Sequence, residues 1–319
     1  MCYYVWKKLA RIPQMVFNVL HVENFKQESR NDFHFYNLGY GKSYSYLKKK
    51  YPLSKMIVVA HGLEITRLKS LRELKTMTKV VSSSDLVLSV SKSTRDEIIN
   101  RLDRIDTNHV KFLPNGVDTN RFFPSKVDDA FLQKYNIPVG SDIILTLARI
   151  IKRKAHDDVI KAIPDILTEF PKAHYVIAGP HRKKDSYLHY LKQLTKELSL
   201  ENHVTFIDFI PEEDLKKIYS VSKVYVMASR TLHETGDSEG FGITFLEANA
   251  CGCPVIGSYE GGIPDAVENE INGLLVPSDS PNDISKSIKK LFSYEDYRKN
   301  IAKMGMARVS EKFTWEKLT

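Results

Sequence analysis

Residues 143–178 read IILTLARIIKRKAHDDVIKAIPDILTEFPKAHYVIA, a stretch that contains one complete strand–helix–strand pattern. Its ends, Ile143–Leu147 and Tyr175–Ala178, are short apolar runs of the kind that form buried strands. Between them, the apolar residues of Asp157–Phe170 recur at helical spacing. Strands that alternate with helices in this way are typical of parallel β–α–β units, so the stretch predicts an α/β fold.

The same alternation continues through the second half of the chain. Four more strands are predicted at Val204–Phe206, Val224–Met227, Pro254–Gly257 and Gly273–Val276, and four more helices at Tyr187–Leu198, Glu212–Ser220, Ile243–Cys251 and Pro281–Leu291. These steps are enough for one full doubly wound domain.

The first half shows a shorter version of the pattern. Its predicted strands are Val16–Val22, Met56–Ala60, Leu86–Val90 and Val110–Leu113, with a helix at Ser93–Leu102. The turn-rich stretch from 122 to 140 is interpreted as an interdomain connection. We therefore predict two domains, residues 1–125 and residues 126–319.

The positive charge of the chain is concentrated in the first half. Residues 1–125 hold 21 Lys/Arg and 11 Asp/Glu, a net +10, and the remaining residues carry −2, which gives the +8 of the whole chain. Such a surface suits nucleic acid, an anionic membrane or an acidic acceptor, or it is simply solvated. No zinc-finger spacing or aromatic RNA-binding motif is present, so nucleic acid is not expected as a partner.

Composition indicates a globular protein, with 42% hydrophobic and 27% charged residues. The longest apolar runs are too short to span a bilayer, and no signal peptide is apparent. Of the three cysteines, Cys251 and Cys253 are interpreted as small packing residues, since no second pair completes a zinc site, and a reducing compartment fits. We predict a cytoplasmic location, with peripheral attachment at the inner membrane face as an option.

The most informative stretch for chemistry is Glu239–Glu247, EGFGITFLE. A glycine-bearing loop carries Glu239 and leads directly into a helix that carries Glu247. Helix N-termini stabilise anions such as phosphates, and Gly240 and Gly242 allow a ligand to approach the backbone. The carboxylates would accept hydrogen bonds from sugar or ribose hydroxyls. The alternative interpretation is a capped surface helix without a ligand.

A cationic turn follows the first strand of the second half. Arg149, Lys152, Arg153 and Lys154 lie within six residues, beyond the carboxyl end of Ile143–Leu147. Ligands of doubly wound sheets bind at that edge, where Arg and Lys contact phosphate oxygens. The alternative is a solvated basic turn. No Asp-x-Asp pair occurs to hold a metal, so cations and a helix end would stabilise a leaving phosphate.

Together these stretches resemble glycosyltransferase family 4. Further matches are Asn115–Asp118, Val176–Pro180, Val204–Phe206, Gly261–Pro264 and Asn272–Val276, and the resemblance covers about residues 14–316. The run from Ser229 to Asp265 looks most like phosphatidylinositol mannosyltransferase-type enzymes. The resemblance implies a GT-B fold, in which two Rossmann-like doubly wound domains face a cleft.

The resemblance also implies a set of site residues. Arg149 and Lys154 would hold the donor diphosphate, while Glu239 and the amides of Phe241 and Gly242 would contact the transferred sugar. Glu247 would bind the ribose. The remaining expected site residues are Phe209 and Ile210 at the base, Ile243 at the helix start, and His61, which would reach the sugar from the first domain; Asn115 is a weaker match that ordinary turn chemistry also explains.

The reaction implied is transfer of a mannose- or glucose-type hexose from a UDP- or GDP-sugar, with retained anomeric configuration and without a metal or other cofactor. A lipid or a surface polysaccharide is the expected acceptor. Retention would follow from front-face attack, in which the departing phosphate takes the acceptor proton. No carboxylate pair is evident in the arrangement that hydrolases use.

The first domain departs from the family pattern. The family begins with a strand and a Gly-rich loop, and neither is found before Val16–Val22, so the first domain is expected to be incomplete. Ala155 also stands where a glycine is usual. The alternatives are therefore a non-catalytic or split subunit that needs a partner chain, and a nucleotide-sugar epimerase on a similar frame.

Overall fold

The computed structural model describes residues 33–35, 38, 41–67, 69–181 and 186–318. The chain divides into two compact units, Met1–Leu113 and Pro114–Thr319. This division lies before the predicted boundary at 125/126. The segment from Pro114 onward belongs with the second unit because the Val117 N–H donates to the Phe313 carbonyl at 2.8 Å.

The first unit contains a parallel sheet of four described strands in the order β1–β2–β3–β4. The strands are Phe33–Phe35 (β1), Met56–Ala60 (β2), Leu86–Ser89 (β3) and Val110–Phe112 (β4), and the helices are Gly41–Lys50 (α1), Leu63–Thr66 (α2), Leu71–Ser83 (α3) and Lys92–Arg101 (α4). Three predicted strands are confirmed, and Val16–Val22 lies outside the described residues. The predicted helix at 93–102 begins one residue earlier, because Ser91 accepts from the Thr94 N–H at 3.0 Å and caps α4.

The second unit contains a parallel six-stranded sheet in the order β10–β9–β8–β5–β6–β7. Its strands are Asp142–Leu147 (β5), Ala173–Ala178 (β6), Val204–Ile207 (β7), Val224–Met227 (β8), Val255–Ser258 (β9) and Gly273–Val276 (β10). Its helices are Asp129–Lys134 (α5), His156–Leu167 (α6), Ser186–Glu197 (α7), Glu212–Val221 (α8), Ile243–Ala250 (α9), Ile263–Ala266 (α10), Pro281–Ser293 (α11), Glu295–Lys312 (α12) and Trp315–Leu318 (α13). The predicted doubly wound domain is confirmed.

The strand order of the second unit places its ligand-binding edge. All residues of β6, β8 and β9 are buried, as expected for a parallel sheet that helices cover on both faces. Strand order reverses between β5 and β8, which are neighbours in the sheet. Such a reversal opens a crevice beyond the carboxyl ends of the two strands. The segments that follow β5 and β8 therefore lie side by side.

Among the described residues, no helix combines the length and the apolar content that crossing a bilayer requires.

Candidate functional site

The two segments at the reversal of strand order are tied to each other through their backbones. Lys152–Lys154 forms a 3-10 turn shortly after β5, and Arg230 follows β8. The Arg230 N–H donates to the Arg153 carbonyl at 2.9 Å. The Arg230 guanidinium forms ion pairs with Asp157 at 2.9 Å and Asp158 at 2.6 Å, at the start of α6. These contacts fix the cationic turn against the loop that carries Glu239.

A buried cluster of two cations and one carboxylate occupies this crevice. Oε2 of Glu239 accepts from the Arg153 guanidinium at 2.6 Å and from the Lys154 ammonium. The three side chains are only 4%, 10% and 11% exposed, for Arg153, Lys154 and Glu239. Burial by itself raises the pKa of the Glu239 carboxyl, but Lys154 and Arg153 outweigh it and lower the pKa to about 2. Glu239 is therefore ionised. Burial also lowers the pKa of the Lys154 ammonium, an effect that the Glu239 charge opposes.

The two carboxylate oxygens of Glu239 differ in their hydrogen-bond partners. Ser229 is a further donor to Oε2, at 3.4 Å, whereas no described residue donates to Oε1. A carboxylate has acceptor capacity on both oxygens. Glu239 is thus held through Oε2, while Oε1 retains acceptor capacity.

The N-terminus of α9 and the Lys154 ammonium lie against the same side chain, Met227. Gly242 precedes the helix with φ 89°, and no side chain caps the helix. The N–H groups of Phe241, Gly242 and Ile243 have no acceptor among the described residues. Lys154 Nζ lies 3.1 Å from the Met227 sulfur, and the Met227 methyl would lie 3.4 Å from a Cβ at Gly242. A helix dipole end, free amides and an ammonium group therefore converge, which favours an anion.

Glu247 lies one turn into α9 and is held by a buried tyrosine. The hydroxyl of Tyr219, on α8, donates to Glu247 Oε2 at 2.8 Å. Burial raises the pKa of the Glu247 carboxyl, and the Tyr219 hydrogen bond offsets only part of this effect. No described residue donates to Oε1 of Glu247, so this oxygen retains acceptor capacity.

A pair of glycines fixes the position of the Glu239 backbone. The Gly262 N–H donates to the Glu239 carbonyl at 2.9 Å. Gly261 has φ 56°, and a Cβ there would lie 2.4 Å from that carbonyl oxygen and 2.6 Å from the Ser238 hydroxyl. The close approach requires a glycine, because both the backbone conformation and the available space exclude a side chain. The matched motif Gly261–Pro264 thus acts on the site through the Glu239 backbone.

The remaining predicted site residues, except Ile210, are more exposed. Arg149 follows β5, and its guanidinium makes no ion pair with the described residues. Beyond β7, Phe209 is 72% exposed whereas Ile210 is buried. His61 directly follows β2 in the first unit, is exposed, and its N–H donates to Glu64 Oε1 at 2.6 Å. Asn115 is half-buried near the start of the second unit.

Three residues of the site had no role assigned from the sequence. Arg153 belongs to the cationic turn, but nothing in that turn distinguishes its buried cation from the exposed ones. Tyr219 lies on α8, where the hydrophobic pattern of the sequence indicates that it is buried but does not indicate which residue its hydroxyl bonds. Arg230 follows β8 as one basic residue among many. Only the hydrogen bonds described above reveal what these side chains contact.

Among the described residues, no group of three or more His, Cys, Asp or Glu side chains is arranged to hold a metal ion.

Comparison with known proteins identifies the family. Residues 127–308, more than half of the chain, match the family described as glycosyl transferases group 1. A GDP-mannose-dependent alpha-(1-6)-phosphatidylinositol monomannoside mannosyltransferase of Mycobacterium tuberculosis is 29% identical over 267 residues, or 83% of this chain and 67% of that protein. Mannosylfructose-phosphate synthase of Agrobacterium fabrum is 28% identical over 242 residues, which cover 74% of this chain and 51% of the synthase.

Solved structures agree with this result. HepE of Anabaena, in complex with UDP and glucose, superposes with a TM-score of 0.77 at 19% identity, over 88% of this chain and 73% of HepE. The C-terminal domain of the group 1 glycosyl transferase LpcC of Francisella tularensis is 30% identical with a TM-score of 0.56, and it covers 63% of this chain and 100% of that domain. The chain belongs to the group 1 glycosyltransferases, and the predicted α/β GT-B fold is confirmed.

Proposed function

We propose that the protein transfers a mannose- or glucose-type hexose from a UDP- or GDP-sugar to a lipid or surface-polysaccharide acceptor, with retained configuration and without a metal. The cluster at the reversal of strand order supports this proposal most directly. There two buried cations and an uncapped helix lie beside Glu239 and Glu247, each with one oxygen to which no described residue donates. Phosphate and hydroxyl recognition are thereby combined in one place.

The diphosphate is assigned to the positive side of this cluster. Lys154, the exposed Arg149 and the free amides at the start of α9 would bind its oxygens. They would also stabilise the negative charge that grows on the leaving phosphate as the glycosidic bond breaks. Such groups do the work that a divalent cation does in other phosphate sites, which is why we propose a metal-independent reaction.

The hydroxyls of the donor are assigned to the two carboxylates. Glu239 would accept from the hexose and Glu247 from the ribose, while the backbone at Phe209 and Ile210 would contact the base. The sugar contact expected of His61 stays a prediction. Both guanine and uracil are kept as the donor base, since one similar protein is named for GDP-mannose and a structure with the same fold was solved with UDP and glucose.

Retention is proposed through front-face attack. Glu239 is bonded to two cations and its pKa is lowered to about 2, so its carboxylate is a hydrogen-bond acceptor and a poor nucleophile. The acceptor hydroxyl would instead form its bond to the anomeric carbon on the face that the phosphate leaves. The departing phosphate oxygen would take the hydroxyl proton, so the products are a glycoside and a nucleoside diphosphate.

Product analysis tests the proposed function. Purified protein is incubated with UDP-glucose or GDP-mannose and with lipid or polysaccharide acceptors, and the products are identified by NMR. A new glycoside with the donor's anomeric configuration is expected. An inverted glycoside contradicts retention, and an isomerised sugar nucleotide would identify an epimerase. Turnover only after a partner chain is added would identify a split subunit.

Replacing Glu247 by glutamine is expected to weaken binding of the nucleoside diphosphate about 10- to 150-fold, because a hydrogen bond to a charged group contributes about 1.5–3 kcal/mol. Calorimetry measures the change. Glu213→Gln is the matched control, since Glu213 is exposed on the adjacent helix. A 2′,3′-dideoxynucleoside diphosphate should bind the wild type and Glu247→Gln equally. A loss that persists with this analogue would show that Glu247 does not contact the ribose.

We further propose that the basic first unit attaches to anionic membrane surfaces. In α1, Lys49 and Lys50 are exposed, and Tyr46 is 63% exposed, whereas Lys48 lies 3.7 Å from Asp85. Each cation near such a surface contributes about 1 kcal/mol, and the attraction fades with salt. Co-sedimentation with phosphatidylserine vesicles should therefore be salt-sensitive.

The matched variants reverse two charges each. Lys49→Glu with Lys50→Glu should lower vesicle binding about tenfold or more. The control, Lys303→Glu with Lys312→Glu, changes two exposed lysines of α12 and the net charge equally. Equal losses in both variants, or equal binding to neutral vesicles, would contradict attachment through α1.

A further inference from the structure

One feature of the site exceeds what phosphate binding requires: Glu239 faces two buried cations through one oxygen. The Arg153 guanidinium lies 2.6 Å from Oε2, and the Lys154 ammonium contacts the same oxygen. One cation would be enough to pair one carboxylate. The second therefore has a separate purpose or is a surplus buried charge, which costs stability.

The two cations differ in how firmly they are held. Arg153 is 4% exposed, its carbonyl accepts from the Arg230 N–H, and its planar guanidinium is geometrically constrained. Lys154 has three rotatable donors, and besides Glu239 its described partner is the weakly accepting Met227 sulfur at 3.1 Å. Lys154 can thus turn toward a phosphate, whereas Arg153 remains beside the carboxylate.

We propose that Arg153 is a positioning residue for Glu239, which it keeps ionised and in place while Lys154 is engaged with the donor diphosphate. The proposal rests on the proposed function. Without Arg153, the carboxylate and the diphosphate would compete for a single ammonium group. A buried carboxylate that loses its counter-ion either takes up a proton or moves toward water. In both cases the hydroxyl-accepting oxygen would be lost.

The pH dependence of hexose transfer follows from the groups around Glu239. The ionisable groups that act on it are Arg153, Lys154 and Tyr225. The cations hold the pKa of Glu239 at about 2, so the ionised form persists at every ordinary assay pH. Removal of Arg153 lets burial raise this pKa. Activity that needs the carboxylate is then lost as pH falls through the new value.

A double-mutant cycle tests the proposal, with kcat/KM for the sugar nucleotide and Kd for the nucleoside diphosphate as readouts. Arg153→Gln should lower kcat/KM about tenfold or more and change Kd less than about threefold. The loss should be greatest at the acid end of a profile from about pH 5 to 9. Arg153→Lys keeps a cation and should restore the wild-type profile. In a Glu239→Gln background, Arg153→Gln should cost less than about threefold.

Other outcomes would overturn either the role of Arg153 or the proposed function. Equal losses in both backgrounds, a flat pH profile, or a parallel loss of diphosphate affinity would overturn the proposal and place Arg153 on the phosphate. If Arg153→Gln fails to fold, Arg153→Lys should fold, because it keeps a cation beside Glu239; a parallel loss of diphosphate affinity in that variant would overturn the proposal. Wild-type protein that binds no nucleoside diphosphate would instead overturn the proposed function.

Discussion

Lys154→Ala is expected to lower kcat about 100- to 1,000-fold, the usual cost of removing one group that stabilises transition-state charge in a water-poor site. The ammonium is 10% exposed, so solvent screens it little. Because phosphate charge grows as the glycosidic bond breaks, kcat should fall more than nucleotide affinity. The Arg153–Glu239 ion pair remains in this variant, and the protein should stay folded.

Lys152→Ala is the matched control for this prediction. Lys152 lies two residues away in the same turn, but its side chain is 61% exposed and its partner is the exposed Glu234 at 3.6 Å. Its replacement should change kcat less than about threefold, since exposed ion pairs contribute about 0–1 kcal/mol. Equal losses in the two variants would show that kcat depends on the overall charge of the turn and not on the buried ammonium.

Gly261→Ala is expected to lower kcat/KM about 100-fold, as a misplacement of about 1 Å at a catalytic group can do. The new Cβ would lie 2.4 Å from the Glu239 carbonyl oxygen, so the backbone that carries the carboxylate must move. The left-handed conformation, φ 56°, costs a residue with a Cβ a further 1–2 kcal/mol or so. The thermal unfolding temperature should fall as well.

Gly140→Ala is the control that carries the cost of the left-handed backbone conformation without displacing the Glu239 backbone. Gly140 has φ 78°, and a Cβ there meets nothing within 4 Å. The Gly140→Ala variant should therefore lose about 1–2 kcal/mol of folding free energy, the same conformational cost as Gly261→Ala, and keep full activity. Steady-state kinetics and calorimetry on both variants check this. An active Gly261→Ala protein would contradict the role of the Gly261–Gly262 contact in placing Glu239.

Most of the second unit was predictable because its strands are local features. Runs such as Val224–Met227 and Gly273–Val276 are apolar on both faces of a parallel sheet, and their bounds match the structure. The helix α12, Glu295–Lys312, was not predicted. Only Ile301, Gly305 and Val309 are buried along it, a stripe too narrow to stand out in the sequence.

The sequence also indicated the segments that form the candidate site. The cationic turn and the glycine-bearing segment before α9 are chemically distinctive, and the family resemblance then singled out Lys154 and Glu239 within them. Their pairing was not predictable, since residues 154 and 239 are far apart in the chain and are joined only by the neighbouring positions of β5 and β8. The same holds for Tyr219 and Glu247, which lie on different helices.

The sequence by itself determined the α/β class, the doubly wound second unit and the cationic turn, because hydrophobic periodicity, glycines and charge are properties of short segments. Tertiary structure decided which cations of that turn are buried and paired with Glu239. Arg149, Lys152, Arg153 and Lys154 are equivalent as basic residues, yet only the last two are buried. Burial removes the solvent screening of a charge, and it depends on long-range packing of β5 against β8.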